Sequence, residues 1–250
     1  RAPEPLLDVR LFARRDFLVA VGCVLFSMFG LVGIEFFGAQ YLQLVLGLEP
    51  FDAALRLLPL MLSTLAGGLL AARVLGHLGT RWTISLGLAG TGLGLVPMLF
   101  LGLADQYYLL WPSFLVIGFA LEVALVASND VIISSVPADE AGQAAAIEET
   151  AYELGGGFGV AVLGSILAIV YTNQIGSIEG ISSPGIANAE ESLGRALEIA
   201  GSMSSNVAES LIETARLAFM SGYHTAIAVS IALVGASALV AAALLRPRSS

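Results

Sequence analysis

The chain has 250 residues, of which 57% are hydrophobic and only 12% are charged, and its formal net charge is −9. Soluble domains carry about 25% charged residues, so this composition excludes an ordinary soluble domain and indicates a polytopic membrane protein. No basic stripe is present, which excludes nucleic-acid binding. Cys23 is the single cysteine, so these residues cannot form a disulfide or a cysteine-ligated metal site among themselves.

Six segments are long and apolar enough to cross a hydrocarbon core, which requires about 20 helical residues. We predict helices because lipid leaves backbone polar groups unsatisfied in any other open-chain structure. The strict alternation of a transmembrane β-strand is also absent. The predicted spans run over 17–46, 53–75, 82–104, 107–135, 143–171 and 217–245.

Arginines mark one side of the predicted bundle. Four precede the first span, Arg73 and Arg81 flank the turn between the second and third spans, and two more follow the last span. Because positive charge is retained on the inner side, we predict that this side is cytoplasmic. The amino-terminal segment 1–16 and the tail 246–250 are then both cytoplasmic, and the protein is a multi-pass protein of the cell membrane.

The acidic segment 172–216 is the one long connection, and we place it on the extracytoplasmic side. Apolar residues recur at helical spacing around Leu193 and Leu197. Asn206 followed by Glu209 is typical of a capping box that opens a second helix. We therefore predict a helical hairpin before the last span, with a loosely ordered loop containing nascent helix as the alternative.

The fifth predicted span contains three carboxylates. An ionisable group in hydrocarbon costs about 2.5–3.5 kcal/mol, so such groups usually face a cavity or a partner. Glu149 and Glu153 are four residues apart and share a helical face, whereas Glu148 points roughly 100° away, toward Tyr152. We expect Glu149 and Glu153 to form the main site face and Glu148 to be peripheral or gating. The alternative is a buried pair hydrogen-bonded to neighbouring helices.

Three further acids lie within predicted spans. Glu35 and Glu122 are candidates for the same path, and Asp130 either joins them or only caps and bridges helices. Aromatic rings near these acids can attract a cation by about 0.5–2 kcal/mol each. The candidate aromatic lining is Tyr152, Phe158, Phe36, Phe37 and Tyr41.

A run of glycines follows the carboxylates. Gly155 and Gly159 form a G-x-x-x-G pattern, which in lipid usually indicates close helix packing. Together with Gly156 and Gly157 they weaken the helix by up to about 1 kcal/mol each relative to alanine. We predict a bendable packing segment rather than a phosphate loop, because no Lys-Ser/Thr follows.

The stretch 136–164, with its Glu-Glu pair, aromatic residue, acid and Leu-Gly run in this order, resembles the thirteenth helix of the fourteen-helix drug:proton antiporters of the major facilitator superfamily. Within that family it is most similar to the quaternary-ammonium and multidrug efflux branch. Segment 5–12 resembles the start of that family's ninth helix. Arg73, Gly79 and Arg81 match the second copy of the superfamily's loop motif, although Gly76 and His77 replace its usual acid and base.

This resemblance implies an all-α, six-helix bundle that forms the C-terminal half of such a transporter and packs against an N-terminal bundle. It also implies antiport of hydrophobic, cationic small molecules against protons across the lipid bilayer, with no cofactor, no metal and no enzymatic activity. The alternatives are an exporter of a lipid or natural product and, in another class, a non-transporting membrane scaffold or receptor.

Overall fold

The computed structural model describes residues 9–175 and 189–246, and these are almost entirely helical. A short 3₁₀ turn covers Val9–Ala13. A π-helical turn over Tyr41–Val45 follows the first long helix. The long helices are α1 (Arg15–Gln40), α2 (Pro50–Leu95), α3 (Tyr107–Ser134), α4 (Ala141–Ile175) and α6 (Ser205–Leu244), with the short helix α5 at Leu193–Ala200.

Helix α2 consists of two arms that meet at Gly79. Its 46 residues would span about 69 Å as one straight helix, roughly twice a hydrocarbon core. Gly79 instead has φ 72°, a left-handed conformation that favours glycine. Gly67 in the first arm and Gly87 in the second both pack against α3 near Phe119–Ala124, so the arms run antiparallel beside one another.

Five helices among the described residues are long and apolar enough to cross a membrane, and α2 crosses twice. The predicted all-α membrane fold with six spans is therefore confirmed. Arg15 donates a hydrogen bond to the carbonyl of Ala243 at 3.4 Å, so the first and last spans begin and end on the same side of the bundle. Which side is cytoplasmic stays a prediction, and residues 1–8 and 247–250 lie outside the described residues.

The helices approach each other most closely where side chains are small. A Cβ atom at Gly118 of α3 would overlap the Ser63 side chain and the Leu60 carbonyl in the first arm of α2. Because lipid provides no hydrophobic drive for helix association, such close packing supplies the contact energy instead. The core around Tyr41, Phe219 and Tyr223 fills the half of the bundle nearer the hairpin.

The predicted hairpin is present over 189–216, although its earlier part, 176–188, lies outside the described residues. Helix α5 begins after Ser192, whose hydroxyl accepts a hydrogen bond from the Arg195 backbone N–H. One expectation needs correction: the second helix begins at Ser205, so Asn206 lies inside its first turn rather than capping it. This helix continues without a break into the last span.

Candidate functional site

A groove of about 310 Å³ opens between α3 and α4. Carboxylates and an amide line it together with apolar side chains, so it presents charge at the depth of the membrane-spanning helices. Val24 of α1 contributes to its floor. The lining residues are Val24, Glu122, Leu125, Val126, Asn129, Glu148 and Tyr152.

On the α3 side, Glu122 and Asn129 are seven residues apart and therefore share a helical face. Glu122 is half-buried because it packs over two glycines of α2. A Cβ atom at Gly67 would lie 3.0 Å from the Glu122 Cβ, and one at Gly68 would lie 3.5 Å from its Oε1. The glycines thus leave room for this carboxylate between the helices.

On the α4 side, Glu148 and Tyr152 face the groove. Asn129 donates a hydrogen bond from Nδ2 to the Glu148 Oε2 at 2.8 Å, which joins the two helices across the groove. This differs from the expectation that Glu148 is peripheral. The reason is the rotation of α4: residues 148, 152, 155 and 159 form one stripe, and the glycines at its far end pack against α1.

Glu149 and Glu153 lie one position off this stripe and are exposed. They do not line the groove, but they remain close to it. The carboxylates of Glu122, Glu35, Glu149 and Glu153 all interact electrostatically with the Tyr152 phenol. Acids from α1, α3 and α4 thus lie near Tyr152, whose side chain is 41% exposed.

The predicted aromatic residues separate into two groups. Phe36 and Phe158 are exposed, at 47% and 53%. Phe37 and Tyr41 are buried in the core, contrary to the expectation that they line the path. The Tyr41 hydroxyl donates to the Gly102 carbonyl at 3.1 Å, and its ring stacks on Tyr223 at 5.9 Å, so it packs helices together.

Asp130 is exposed at the end of α3 and does not line the groove. Ser134 donates a hydrogen bond to its backbone carbonyl. Asn129, its neighbour in the chain, is the groove residue instead. Sequence reasoning did not select Asn129, although its seven-residue spacing from Glu122 places both on one face.

Three of the four glycines within 155–159 pack against α1. A Cβ atom at Gly159 would lie 2.5 Å from the Phe29 carbonyl of α1, and one at Gly155 would overlap the Leu25 carbonyl. A Cβ at Gly156 would approach Val32 at 3.2 Å, whereas Gly157 meets no atom within 4 Å. The helix Ala141–Ile175 runs through them without interruption.

In the loop motif, Gly79 provides the reversal of α2. Arg73 is exposed on the arm before it. The Arg81 guanidinium lies over the Trp82 ring, 5.4 Å from its centroid. The motif therefore builds a tight turn at the arginine-rich end of the bundle.

An ion pair lies at the opposite end of the bundle. Arg56 contacts both carboxylate oxygens of Asp105 at 2.7 Å, and its guanidinium lies 5.0 Å from the Tyr107 ring centroid. This hydrogen-bonded arginine holds the pKa of the Asp105 carboxyl below its ordinary value.

Comparison with known proteins identifies relatives of this arrangement. The methyl viologen resistance protein SmvA of Salmonella typhimurium is 33% identical over 224 residues, 90% of this chain and 45% of the relative. The multidrug efflux pump LfrA of Mycolicibacterium smegmatis is 33% identical over 247 residues, 98% of this chain and 49% of the relative. The tetracenomycin C resistance and export protein of Streptomyces glaucescens is 30% identical, over 98% of this chain and 46% of the relative.

The chain thus spans about half the length of these relatives. The names of these relatives describe resistance, efflux and export. Residues 1–160, more than half of the chain, match the sequence profile of the Major Facilitator Superfamily. Together with the six-span helical fold, this match shows that the chain belongs to the Major Facilitator Superfamily.

Proposed function

We propose that this chain forms the C-terminal half of a proton-coupled multidrug exporter, in which the α3–α4 groove is part of the path for hydrophobic cations. One observation carries the proposal. Glu122 of α3 and Glu148 of α4 line one groove beside Tyr152, and within 9–175 and 189–246 neither these two acids nor Glu35, Glu149 and Glu153 form an ion pair with an arginine.

Carboxylates without a bound counter-ion attract a cation, and a low dielectric strengthens that attraction. The exposed face of Tyr152 adds cation–π attraction of about 0.5–2 kcal/mol. Apolar groove residues such as Leu125 and Val126 suit the hydrophobic part of the same molecule. The relative named for methyl viologen resistance supports this substrate class, since methyl viologen is an aromatic dication.

Proton coupling follows from competition at the same carboxylates. A carboxyl group that holds a proton is neutral and no longer attracts a cation. Protonation from the outside therefore releases the substrate, and loss of the proton to the cytoplasm restores the site. Glu122 and Glu148 line the groove directly and are our candidates for this exchange.

The exposed acids support a second bundle. Glu149 and Glu153 would each cost about 2.5–3.5 kcal/mol if they faced hydrocarbon. We infer that their face, with exposed Phe158, borders a water-filled cavity closed by an N-terminal bundle of the same transporter. The arginine-rich side then faces the cytoplasm, with the transporter in the cell membrane.

The test uses the full-length protein in inverted membrane vesicles. We expect uptake of a quaternary ammonium dye that depends on an imposed pH gradient. Glu122→Gln and Glu148→Gln should abolish the gradient-driven part, and Glu149→Gln and Glu153→Gln should reduce it. Glu198→Gln, at an exposed position of α5, is the matched control and should leave uptake unchanged. Gradient-independent uptake, or full activity in all four variants, would contradict the mechanism.

Export of a natural product is the second candidate. The relative that is named for tetracenomycin C export favours it, since it aligns over 98% of this chain. A neutral polyketide added to the same vesicles separates the two candidates. Gradient-driven uptake of the polyketide but not of the dye would favour this second function.

A further inference from the structure

A second groove lies between α1 and α6, away from the carboxylates. We call it the inner groove because it opens at the arginine-rich end of the bundle. Its volume is about 380 Å³ and its walls are almost wholly apolar. Leu18, Gly22, Phe26, Leu233, Val240 and Leu244 are among the residues that line it.

The inner groove has the length of one leaflet. Its lining on α1 extends from Leu18 to Phe26, about 12 Å at 1.5 Å per residue, and on α6 from Leu233 to Leu244, about 16 Å. Half of a hydrocarbon core is about 15 Å. A single extended acyl chain that runs from the headgroup region to the bilayer centre therefore matches it.

Gly22 keeps the inner groove open. A Cβ atom at this position would meet no atom within 4 Å, so the glycine leaves space rather than a helix contact. Deeper in the membrane, α1 and α6 come together, because a Cβ at Gly30 would lie 3.1 Å from the Val234 side chain. The groove is thus closed at the bilayer centre and open toward the arginines.

Beyond its open end lies a polar pocket of about 450 Å³ that includes Arg14, Arg15 and Arg246, with Asp16 as its acid. Arg14 is engaged, since it donates to the Ser135 carbonyl and lies 3.9 Å from Glu140.

Arg15 makes one long hydrogen bond, to the Ala243 carbonyl at 3.4 Å, and Arg246 is exposed. Arg15 precedes Leu18 by one helical turn, and Arg246 follows Leu244 by two residues. Guanidinium groups match the geometry of phosphate oxygens. Basic pockets between membrane helices are suited to anionic lipid headgroups.

We propose that the inner groove binds one acyl chain of an anionic phospholipid whose phosphate contacts Arg15 and Arg246. The apolar walls exclude a free phosphate or a soluble anion as the occupant of the groove itself. The arginines select an anionic headgroup over a zwitterionic one, because each basic residue near the headgroups contributes about 1 kcal/mol to binding an anionic lipid. The lipid thereby adds a contact between α1 and α6 at the end where the inner groove is open.

The test is native mass spectrometry of the delipidated full-length protein, titrated with phosphatidylglycerol or phosphatidylcholine. We expect preferential retention of phosphatidylglycerol. Arg15→Gln combined with Arg246→Gln should weaken this retention by roughly 30-fold, toward the level of phosphatidylcholine. Gly22→Leu should abolish retention of both lipids, because its side chain fills the groove.

Gly235→Leu is the matched control. Gly235 lies on α6, does not line the inner groove and also meets no atom within 4 Å, so this variant should retain lipid normally. Equal loss in Gly22→Leu and Gly235→Leu, or an unchanged headgroup preference in the arginine variant, would overturn the proposal. So would a protein dimer that forms in place of lipid binding and disappears in Gly22→Leu, since a second copy would then occupy the groove.

Discussion

The acids at the two levels of this bundle have different partners. In the connection before α3, Asp105 pairs with Arg56 through both of its oxygens at 2.7 Å. In the α3–α4 groove, Glu148 instead accepts a hydrogen bond from the neutral Asn129 at 2.8 Å. The partner of Asp105 is thus a positively charged side chain of the same chain, whereas the partner of Glu148 is a neutral amide.

This difference separates a structural acid from an acid that can bind a ligand. In an ion pair each charge is neutralised by the other, so neither remains available to bind a ligand. A carboxylate that is held by an amide is oriented but keeps its charge available. The comparison therefore predicts that substitutions in the groove change transport, and that substitutions at the ion pair change stability.

The largest effect on transport is expected when a positively charged side chain is introduced into the α3–α4 groove. Glu122→Lys places an ammonium opposite Glu148 and repels a cationic substrate, by about 3–4 kcal/mol for charges some 4–6 Å apart. We expect uptake of a cationic dye to fall roughly 100-fold or more in vesicles that contain the full-length protein. Glu122→Gln is the comparison variant, because it removes the carboxylate charge without adding a positive one. A Glu122→Lys variant that still transports the dye would contradict the comparison.

A smaller effect on transport is expected when the Asn129 side-chain amide is removed. Asn129→Ala removes the hydrogen bond to Glu148, which is worth about 0.5–1.5 kcal/mol. The apparent affinity for the dye should change by roughly 2- to 10-fold, because the carboxylate is less well oriented. Ser134→Ala, on the same helix but outside the groove, should leave it unchanged. Equal effects in both variants would assign Asn129 a general packing role.

The smallest effect is expected at the ion pair. Because Arg56 depresses the pKa of Asp105 in the folded state, the pair stabilises the protein above the ordinary pKa of about 3.9. That stability is lost as the pH falls through the lower folded-state pKa. Asp105→Asn should cost about 1 kcal/mol or less at pH 7, since the side chain is 48% exposed.

Thermal unfolding of the full-length protein, measured from pH 7 downward, checks this. The difference between wild type and Asp105→Asn should disappear at the acidic end, and dye transport by the variant should remain normal. Loss of dye transport in Asp105→Asn would contradict the distinction between Asp105 as a structural acid and the groove carboxylates as ligand-binding acids.

Much of this fold is predictable from sequence because lipid permits so few structures. Each apolar run of sufficient length has to be a helix, and the reversal at Gly79 requires a residue that tolerates positive φ. The exact start of α6 was not predictable, because both Ser204 and Asn206 are suitable cap residues. The helix begins at Ser205.

The rotation of α4 about its own axis is less predictable from the sequence. Its faces are apolar or small nearly all round, so hydrophobic periodicity does not distinguish the packed face from the open one. The glycines do contain that information. Once Gly155 and Gly159 are assigned to the α1 contact, the helical repeat turns Glu148 and Tyr152 toward the α3–α4 groove and Glu149 and Glu153 away from it.

The unbroken helix α6 has a mechanical consequence. Its 40 residues are about 60 Å long, so it projects well beyond a core of about 30 Å and holds α5 against its projecting end. A tilt of about 10° at the bilayer centre would displace that end, which lies about 45 Å from the centre, by roughly 8 Å. A small tilt of the last span is thus converted into a larger displacement of α5 and of the projecting end of α6. Distance probes placed there, outside the membrane, can measure this displacement.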